Sequence, residues 1–378
     1  MNEAGVYIHI PFCRRKCLYC DFPSYSGRDL YFEAYKDAVI TEIDNSAELS
    51  ESTIDTVFIG GGTPTILPAP FLSEILKHVF QYNVTPDAEI TVEANPGTFD
   101  AEKLKILRGS GFNRISVGVQ AWQDHLLKCL GRIHDSGDIP RAYEAAVNAG
   151  FDNINLDLMF SLPGQSMDDW AETLHRSADL HPNHISAYSL IIEEGTEFFR
   201  LFNDGKLKLP DEDEDRGMYY AASDILGSYG YHQYEISNFA LDGKECRHNV
   251  KYWTRRPYIG VGTDSHSFYN DMRWHNTHSL DEYLRLTEGR NFAGLREDII
   301  RISRRDAMEE TMFLGLRLNE GVDNGCFFRT FGIGLDDIYS DVIQKMISLG
   351  LMDRDENRVF LTAKGRDLSN YVFADFLF

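Results

Sequence analysis

An α/β fold is predicted for this chain: an incomplete six-unit (β/α) barrel followed by a mainly helical, winged-helix-like C-terminal module. Three observations predict it. Short apolar runs alternate with amphipathic stretches through the first half, the pattern of right-handed βαβ units on a parallel sheet. The runs carry polar residues on one face, whereas strands of a doubly covered parallel sheet read apolar throughout. Glycine turns and chemically active side chains gather where the runs end, the end at which barrels of this type build their sites.

In chain order, Val6–Ile10 is the first strand and opens into a cysteine-rich loop. Tyr31–Ile43 is the first helix, and Thr56–Ile59 a strand that runs into Gly60-Gly61-Gly62-Thr63-Pro64. The helix Phe71–Phe80 precedes the strand Glu89–Ala94, which ends in Asn95-Pro96. Ala101–Leu107 is helical, and Arg114–Val119 is a strand ending at Gln120. Ile139–Ala149 then leads to the strand Ile154–Met159, which carries Asp157 ahead of Leu162-Pro163-Gly164-Gln165. Met167–Leu180 and His184–Leu190 complete the sixth unit. Side chains alternate faces along a strand. Tyr7 and His9, Thr91 and Glu93, Ser116 and Gly118, Asn155 and Asp157, and His184, Ser186 and Tyr188 therefore share the lumen. Buried polar groups need partners, so a polar lumen implies a polar ligand, water, or both.

Beyond residue 290 the pattern changes. Arg304–Leu318 and Leu335–Leu349 read as helices, Arg358–Thr362 as a short strand and Ala363–Phe373 as a last helix. The expected division is a barrel over residues 1–235, a connecting region over 236–290 and the module over 291–378. The chain has 378 residues and is 43% hydrophobic, enough for a sizeable core. Its formal net charge of −22 argues against nucleic acid or anionic lipid as a bulk partner, and leaves the module docking or lid duty. No apolar run reaches the roughly 20 residues of a membrane span, so no direct membrane anchor is expected. Clustered cysteines without a disulfide framework fit a reducing cytoplasm.

Cys13, Cys17 and Cys20 stand in YIHIPFCRRKCLYCDF. Their C-x3-C-x2-C spacing puts three thiolates on one tight loop, one short of the four that normally hold a four-iron cluster. One iron would stay open to a ligand other than protein. Zinc is the alternative, but zinc sites favour two paired knuckles, and no second C-x2-C occurs. Glu93 is a salt-bridge partner by default, yet its face and position suit an ammonium. Gln120 and Asp157 read as structural hydrogen-bonding residues or ligand contacts, and Asp157 also suits a ribose. Arg132 is a surface cation or a partner for a carboxylate.

The motifs YIHIPFCRRKCLYCDF, FIGGGTPT, VEANPGT, ISVGVQ, GRIH and NLDLMFSLPGQ, with GLMDRDENRVFLTAKGRDLSN at the C-terminus, make the chain resemble a branch of the radical S-adenosylmethionine (SAM) superfamily. That branch holds the oxygen-independent coproporphyrinogen III dehydrogenases of HemN type and the heme chaperones of HemW type. The resemblance implies a radical SAM barrel with a [4Fe-4S] cluster on Cys13, Cys17 and Cys20, and SAM against Tyr7, Gly61, Gly62, Thr63, Glu93, Gln120, Arg132 and Asp157. Two features favour the chaperones. The dehydrogenases carry a further cysteine where this chain has Phe22, and His248-Asn249-Val250-Lys251-Tyr252-Trp253 matches the chaperones' HNxxYW signature. Heme is then the cargo, with His248 as axial ligand, His266 and His275 as competitors and Cys246 as a softer one. Acceptor hemoproteins such as respiratory enzymes would be the partners, and the family resemblance adds a homodimer. The alternatives are radical decarboxylation of coproporphyrinogen III and a heme-modifying enzyme. RNA modification would call for a basic accessory domain, which the net charge opposes.

Overall fold

The computed structural model describes residues 2–377. Six parallel strands form its centre: β1 (Asn2–Ile10), β2 (Ser52–Gly61), β3 (Asn83–Ala94), β4 (Arg114–Gln120), β5 (Ile154–Phe160) and β6 (His184–Ser189). Each crossover contains a helix: α1 (Phe32–Asp44), α2 (Ala69–Val79), α3 (Ala101–Gly109), α4 (Asp138–Asn148) and α5 (Met167–Asp179). The outward strand residues are apolar and pack under these helices in one core, from Val6 and Ile8 through Val57, Val92, Val117 and Leu156 to Ile185. The helix α5 starts on a capping box, Ser166 and Asp169 each satisfying the other's backbone N–H.

The sheet is larger than the six expected units. It has 12 strands, and the additional ones lie on both flanks. After α6 (Glu212–Ser228), β7 (His232–Glu235) and β8 (Asn238–Ala240) form an antiparallel hairpin, with β8 on β6. The short helix α7 (Arg247–Trp253) follows, and β9 (Tyr258–Val261) returns parallel to β1. A meander of β10 (His266–Tyr269), β11 (Met272–Asn276) and β12 (Arg296–Arg301) then ends the sheet, with the helix Leu280–Glu288 between β11 and β12, so the expected connecting region supplies four strands of the sheet. These strands are four to six residues long, and β10 to β12 pair antiparallel, so the βαβ pattern that revealed the first six was silent on them. Charged Arg296, Glu297, Asp298 and Arg301 on β12 blunt that open edge.

Registers build the lumen in rungs. Glu93 pairs with Ser116, Ser116 with Asn155 and Asn155 with His184, while Gly118, Asp157 and Ser186 form the next rung up. The β4–β5 register shifts between Gly118 and Gln120, and Gln120 has a left-handed φ of 67°. Such a bulge re-aims a side chain beside a site.

The C-terminal module has its own core, from Ala307 to Phe376. Its helices Arg304–Gly315, Asn324–Phe331 and Leu335–Ser348 carry a three-stranded antiparallel wing, with Arg358–Leu361 between Val322–Asp323 and Met352–Arg354. The expected last helix is two, Ala363–Asp367 and Ser369–Ala374, broken at Leu368. The buried Glu310 accepts from Arg255 at 2.9 Å and Arg273 at 2.7 Å, and Asn319 N–H donates to Tyr234 O at 2.9 Å. Arg317 lies 3.5 Å from the buried Glu235. The module is thus seated by α7, the β7–β8 hairpin and the meander, which is docking rather than a lid over the cysteine loop. No helix among the described residues is long and apolar enough to cross a membrane.

Glu310→Ala should destabilise the chain by about 3 kcal/mol, because it strands two arginines at a buried contact. Denaturant unfolding checks this, and limited proteolysis should cut first between barrel and module. An unchanged midpoint would show that the module docks by other contacts.

Candidate functional site

The cysteine loop leaves β1 at Pro11 and is tied at both ends. Phe12–Cys13 pairs with Tyr25–Ser26, and Tyr25 N–H donates to Pro11 O at 2.7 Å. Mid-loop, Leu18 N–H donates to Leu130 O at 3.1 Å, and Leu18 O accepts from Phe198 N–H at 2.9 Å. The glycine turn after β2 seats the loop from beneath. Gly62 N–H donates to Ile10 O at 2.9 Å and Thr63 N–H to Phe12 O at 2.8 Å. A Cβ on Gly62 would stand 2.7 Å from Phe12 O, and one on Gly61, with φ of +108°, 2.4 Å from the His9 ring. These glycines make room for the protein's own loop, a closer fit than a turn requires.

A second tie runs through side chains. His9 Nε2 lies 2.9 Å from Pro23 O, and His9 Nδ1 2.9 Å from the Tyr7 hydroxyl. A carbonyl can only accept, so His9 carries its proton on Nε2 and accepts the Tyr7 O–H on Nδ1. Burial lowers the His9 pKa and favours that neutral form.

Cys13, Cys17 and Cys20 are free, half-buried thiols over a cavity of about 430 Å³. Gly61, Gly62, Thr63, Glu93, Gln120, Arg132 and Asp157 line the same cavity. Tyr7 lines an adjoining pocket of about 330 Å³, which shares Gly61, Glu93 and Asp157 and descends to His248. The expected residues thus converge on one continuous space. The Thr63 hydroxyl lies 3.6 Å from Cys13 Sγ and accepts from Asn95 Nδ2 at 2.8 Å.

Arg132 is inside, not on the surface. One guanidinium nitrogen lies 3.6 Å from Cys17 Sγ, and the other donates to Gly118 O at 2.5 Å and to Asn95 Oδ1. Burial opposes its charge, but Tyr19 and Cys17 outweigh that and keep its pKa raised. Its Nε is buried without a hydrogen-bond partner. Such an orphan donor suits a ligand carboxylate.

Glu93 accepts Gly61 N–H at 2.9 Å, and its pKa is pushed up to about 8, first by burial and then by Asp157. Burial also raises Asp157, against hydrogen bonds from Ser116 at 2.8 Å and Asn155 at 2.7 Å. Two buried carboxylates this close favour a cation between them. An open-cornered iron cluster with an amino acid on it needs three thiolates, an acceptor for an ammonium and a donor for a carboxylate, and these residues fit it.

His248 does not occupy the position expected of an iron ligand. It is fully buried at the opposite, N-terminal end of the barrel, with Nδ1 2.8 Å from the Thr56 hydroxyl and Nε2 2.9 Å from the Tyr252 hydroxyl. Burial, then Lys251 and Arg114, push its pKa down to about 3, so it is neutral with both nitrogens engaged. Cys246 is also buried, its thiol pushed up to about 12 mainly by burial, away from the thiolate a metal needs. The α7 helix carrying these residues closes the end of the barrel. Glu89 on β3 accepts the helix's first N–H groups, Arg247 at 3.1 Å and His248 at 3.0 Å, an N-cap supplied by another element. Sequence reasoning missed Glu89 and the buried Arg114. Both obey the parity of Glu93 and Ser116 on their strands, which was the available signal.

Similarity to known proteins agrees with this geometry. Residues 7–176 match the radical SAM superfamily, and residues 302–368 the HemN C-terminal domain. The heme chaperone HemW of Bacillus subtilis is 38% identical over 377 residues, 99% of each chain. That of Lactococcus lactis is 37% identical over 99% of this chain and 97% of its own. The coproporphyrinogen III oxidase HemN of Escherichia coli, a radical SAM enzyme, superposes with a TM-score of 0.85 at 25% identity, covering all of this chain and 90% of that one.

Glu93 favours its protonated form in the fold, so its contribution is present below about pH 4.5 and is lost as the pH rises towards 8. Glu93→Gln should therefore gain stability relative to the parent between pH 5 and pH 9. Melting temperatures at the two pH values measure this, and an equal offset at both would refute it. His248→Ala should cost about 2–4 kcal/mol in denaturant unfolding, through a cavity and two stranded hydroxyls.

Proposed function

The chain belongs to the heme chaperone HemW family within the radical SAM superfamily, and we propose that it binds heme and hands it to acceptor hemoproteins, respiratory enzymes among them. Cys13, Cys17 and Cys20 are the proposed ligands of a [4Fe-4S] cluster, with SAM at the remaining iron. When bound, that pair supplies one-electron chemistry. The chain's own residues position it. Glu93 takes the ammonium of SAM and becomes ionised in doing so. Arg132 offsets the thiolate charge through Cys17 and offers Nε to the carboxylate. Gly61, Gly62 and Thr63 hold the loop at its height, Tyr7 and Gln120 bound the space, and Asp157 receives the ribose.

The observation that carries the heme reading is the HNxxYW helix. It borders a cavity of about 720 Å³ between α7 and the C-terminal module, lined by Val250, Lys251, Thr254, Tyr234 and Leu318. That volume lies within the roughly 300–1,000 Å³ of small-molecule sites. The cavity's one histidine among the described residues is His232, whose Nε2 is 2.8 Å from Glu245. Its Nδ1 is met only at 3.5 Å, by the fully exposed Asp242, which an incoming iron can displace. A carboxylate on one imidazole nitrogen raises the basicity of the ring as a ligand. His232 therefore replaces His248 as the proposed axial ligand, and the HNxxYW segment shapes the wall. Phe22, where the dehydrogenases have a cysteine, is 59% exposed at the mouth of the cysteine cavity.

Cys17→Ala should remove the brown chromophore after anaerobic reconstitution while leaving the circular dichroism unchanged; about four irons retained per chain would sink the ligand set. In heme titrations His232→Ala should weaken binding about tenfold or more, whereas His248→Ala should chiefly lower stability. Unchanged affinity in His232→Ala moves the ligand elsewhere. With reductant and SAM, the reconstituted protein should take up heme stoichiometrically and leave coproporphyrinogen III intact. Multiple-turnover decarboxylation would make it an enzyme of the dehydrogenase type.

A further inference from the structure

Beside the cysteine loop, on the meander flank of the sheet, lies a set of side chains that the barrel site does not use. The turn after β9 carries Asp264, β11 carries His275, and His278 follows two residues after β11 ends. One ligand atom from each of the three lies within 4.8 Å of the other two. The backbone holds these segments in place. Asp264 N–H donates to Thr277 O at 3.0 Å and Asn276 N–H to Ser265 O at 2.9 Å. The Thr263 hydroxyl donates to Thr277 O at 2.6 Å, and Asn276 Nδ2 to Gly262 O at 2.9 Å and Glu42 Oε1 at 2.7 Å. The backbones that carry Asp264 and His275 are therefore held by a locked turn and strand end, and the exposed His278 side chain reaches in beside them.

We propose that Asp264, His275 and His278 bind a single divalent transition-metal ion of the zinc class. Two imidazoles and a carboxylate are a donor set such ions take, with positions left open. Metal–ligand bonds of about 2.0–2.2 Å set donors about 3–4 Å from one another. His278 Nδ1 and Asp264 Oδ1 already pair directly, so an ion has to part them, and the exposed His278 side chain has room to turn. His275 is 7% exposed; its Nδ1 donates to Asn276 O at 2.9 Å, which leaves Nε2, 3.1 Å from the exposed Asp298 Oδ2, as the nitrogen that would meet an ion. An imidazole whose other nitrogen is held by a backbone carbonyl is a usual form of outer support for a metal ligand. The His266 ring stands 5.2 Å from that of His275, and His275 4.6 Å from His278, so a fourth imidazole adjoins the three donors. Porphyrin iron takes protein ligands only along its axis. Three donors within 4.8 Å of one another suit a bare ion and not heme.

The site bears on the cysteine loop. The Tyr25 hydroxyl donates to His278 O at 3.1 Å, and Tyr25 is the residue whose N–H closes the loop onto Pro11. An ion at Asp264, His275 and His278 pins the far anchor of the loop to the sheet.

The test is equilibrium dialysis of the full-length, cluster-reconstituted protein against buffered zinc, with iron and zinc counted separately. One zinc per chain beyond the cluster iron is expected. His278→Ala, at an exposed position that the fold tolerates, should weaken zinc binding by more than about 100-fold, and Asp264→Asn by about tenfold. The same losses are expected when Cys13, Cys17 and Cys20 are all replaced by serine, which removes zinc held by thiolates from the count. No zinc above the cluster iron, or equal zinc affinity in His278→Ala, overturns the site. Loss of heme binding in His278→Ala with zinc retained assigns these histidines to porphyrin iron and also overturns it. Failure of heme delivery with zinc binding as expected leaves this site standing, so the two readings fail separately.

Discussion

The constraint on which this structure depends is that a barrel with a polar interior must find a partner for every group it buries. The lumen residues are not free to face solvent, because α7 plugs one end and the cysteine loop covers the other. Glu89 makes the plug possible. Its carboxylate accepts the opening N–H groups of α7 and lies 3.7 Å from Cys246 Sγ, so a short helix that carries no side-chain cap of its own starts inside the barrel with those N–H groups satisfied. On the same strand Glu93, four residues later, faces the cysteine loop. One strand thus supplies a carboxylate to each end, and the two do different work. The first is spent on backbone donors. The second keeps one N–H partner and a raised pKa, which leaves it receptive to a cation.

Between the two ends the hydrogen bonds are continuous. Asp157 accepts from Asn155 Nδ2, and Asn155 Oδ1 accepts from His184 Nδ1 at 2.6 Å. His184 Nε2 meets the Tyr234 hydroxyl at 2.9 Å, and that hydroxyl accepts Cys246 N–H at 3.3 Å. Each donor and acceptor is assigned by its neighbour, so His184 is held neutral in one tautomer; burial lowers its pKa far below the usual range. The chain physically joins the floor of the cysteine cavity to Cys246, two residues before the HNxxYW segment. Tyr234 also lines the large cavity beneath, so the two cavities share a wall built from this network. The module completes that lower cavity through Leu318 and Asn319, which ties its placement to the same region.

How much of this was legible follows from the range of each interaction. The six central strands and their helices were readable because their signal is local: apolar periodicity, strand parity and turn chemistry all act within about a dozen residues. The polar lumen was readable for the same reason, since parity alone assigns a face. The meander of β10 to β12 was not, because its short strands pair antiparallel, so the helix Leu280–Glu288 between β11 and β12 marks no parallel crossover. The break at Leu368 escaped because an amphipathic stretch reads through a single interrupted turn.

The sequence by itself determined which residues face the lumen, the height of the cysteine loop above the strand ends, and the grouping of Glu93, Asp157 and the glycine turn around it. Those are consequences of spacing on one strand or one loop. Only the tertiary structure decided what His248 does. Its motif looks the same in sequence whether the imidazole meets iron or a hydroxyl, and the choice was made by Thr56, which is 192 residues away. Likewise Arg132 is a surface cation or a thiolate's neighbour according to where the chain brings Cys17, and Asp264 gains two histidines only when β9 and β11 are laid into one sheet. Burial and partner identity are properties of the assembled fold, because they depend on residues that share space without sharing sequence.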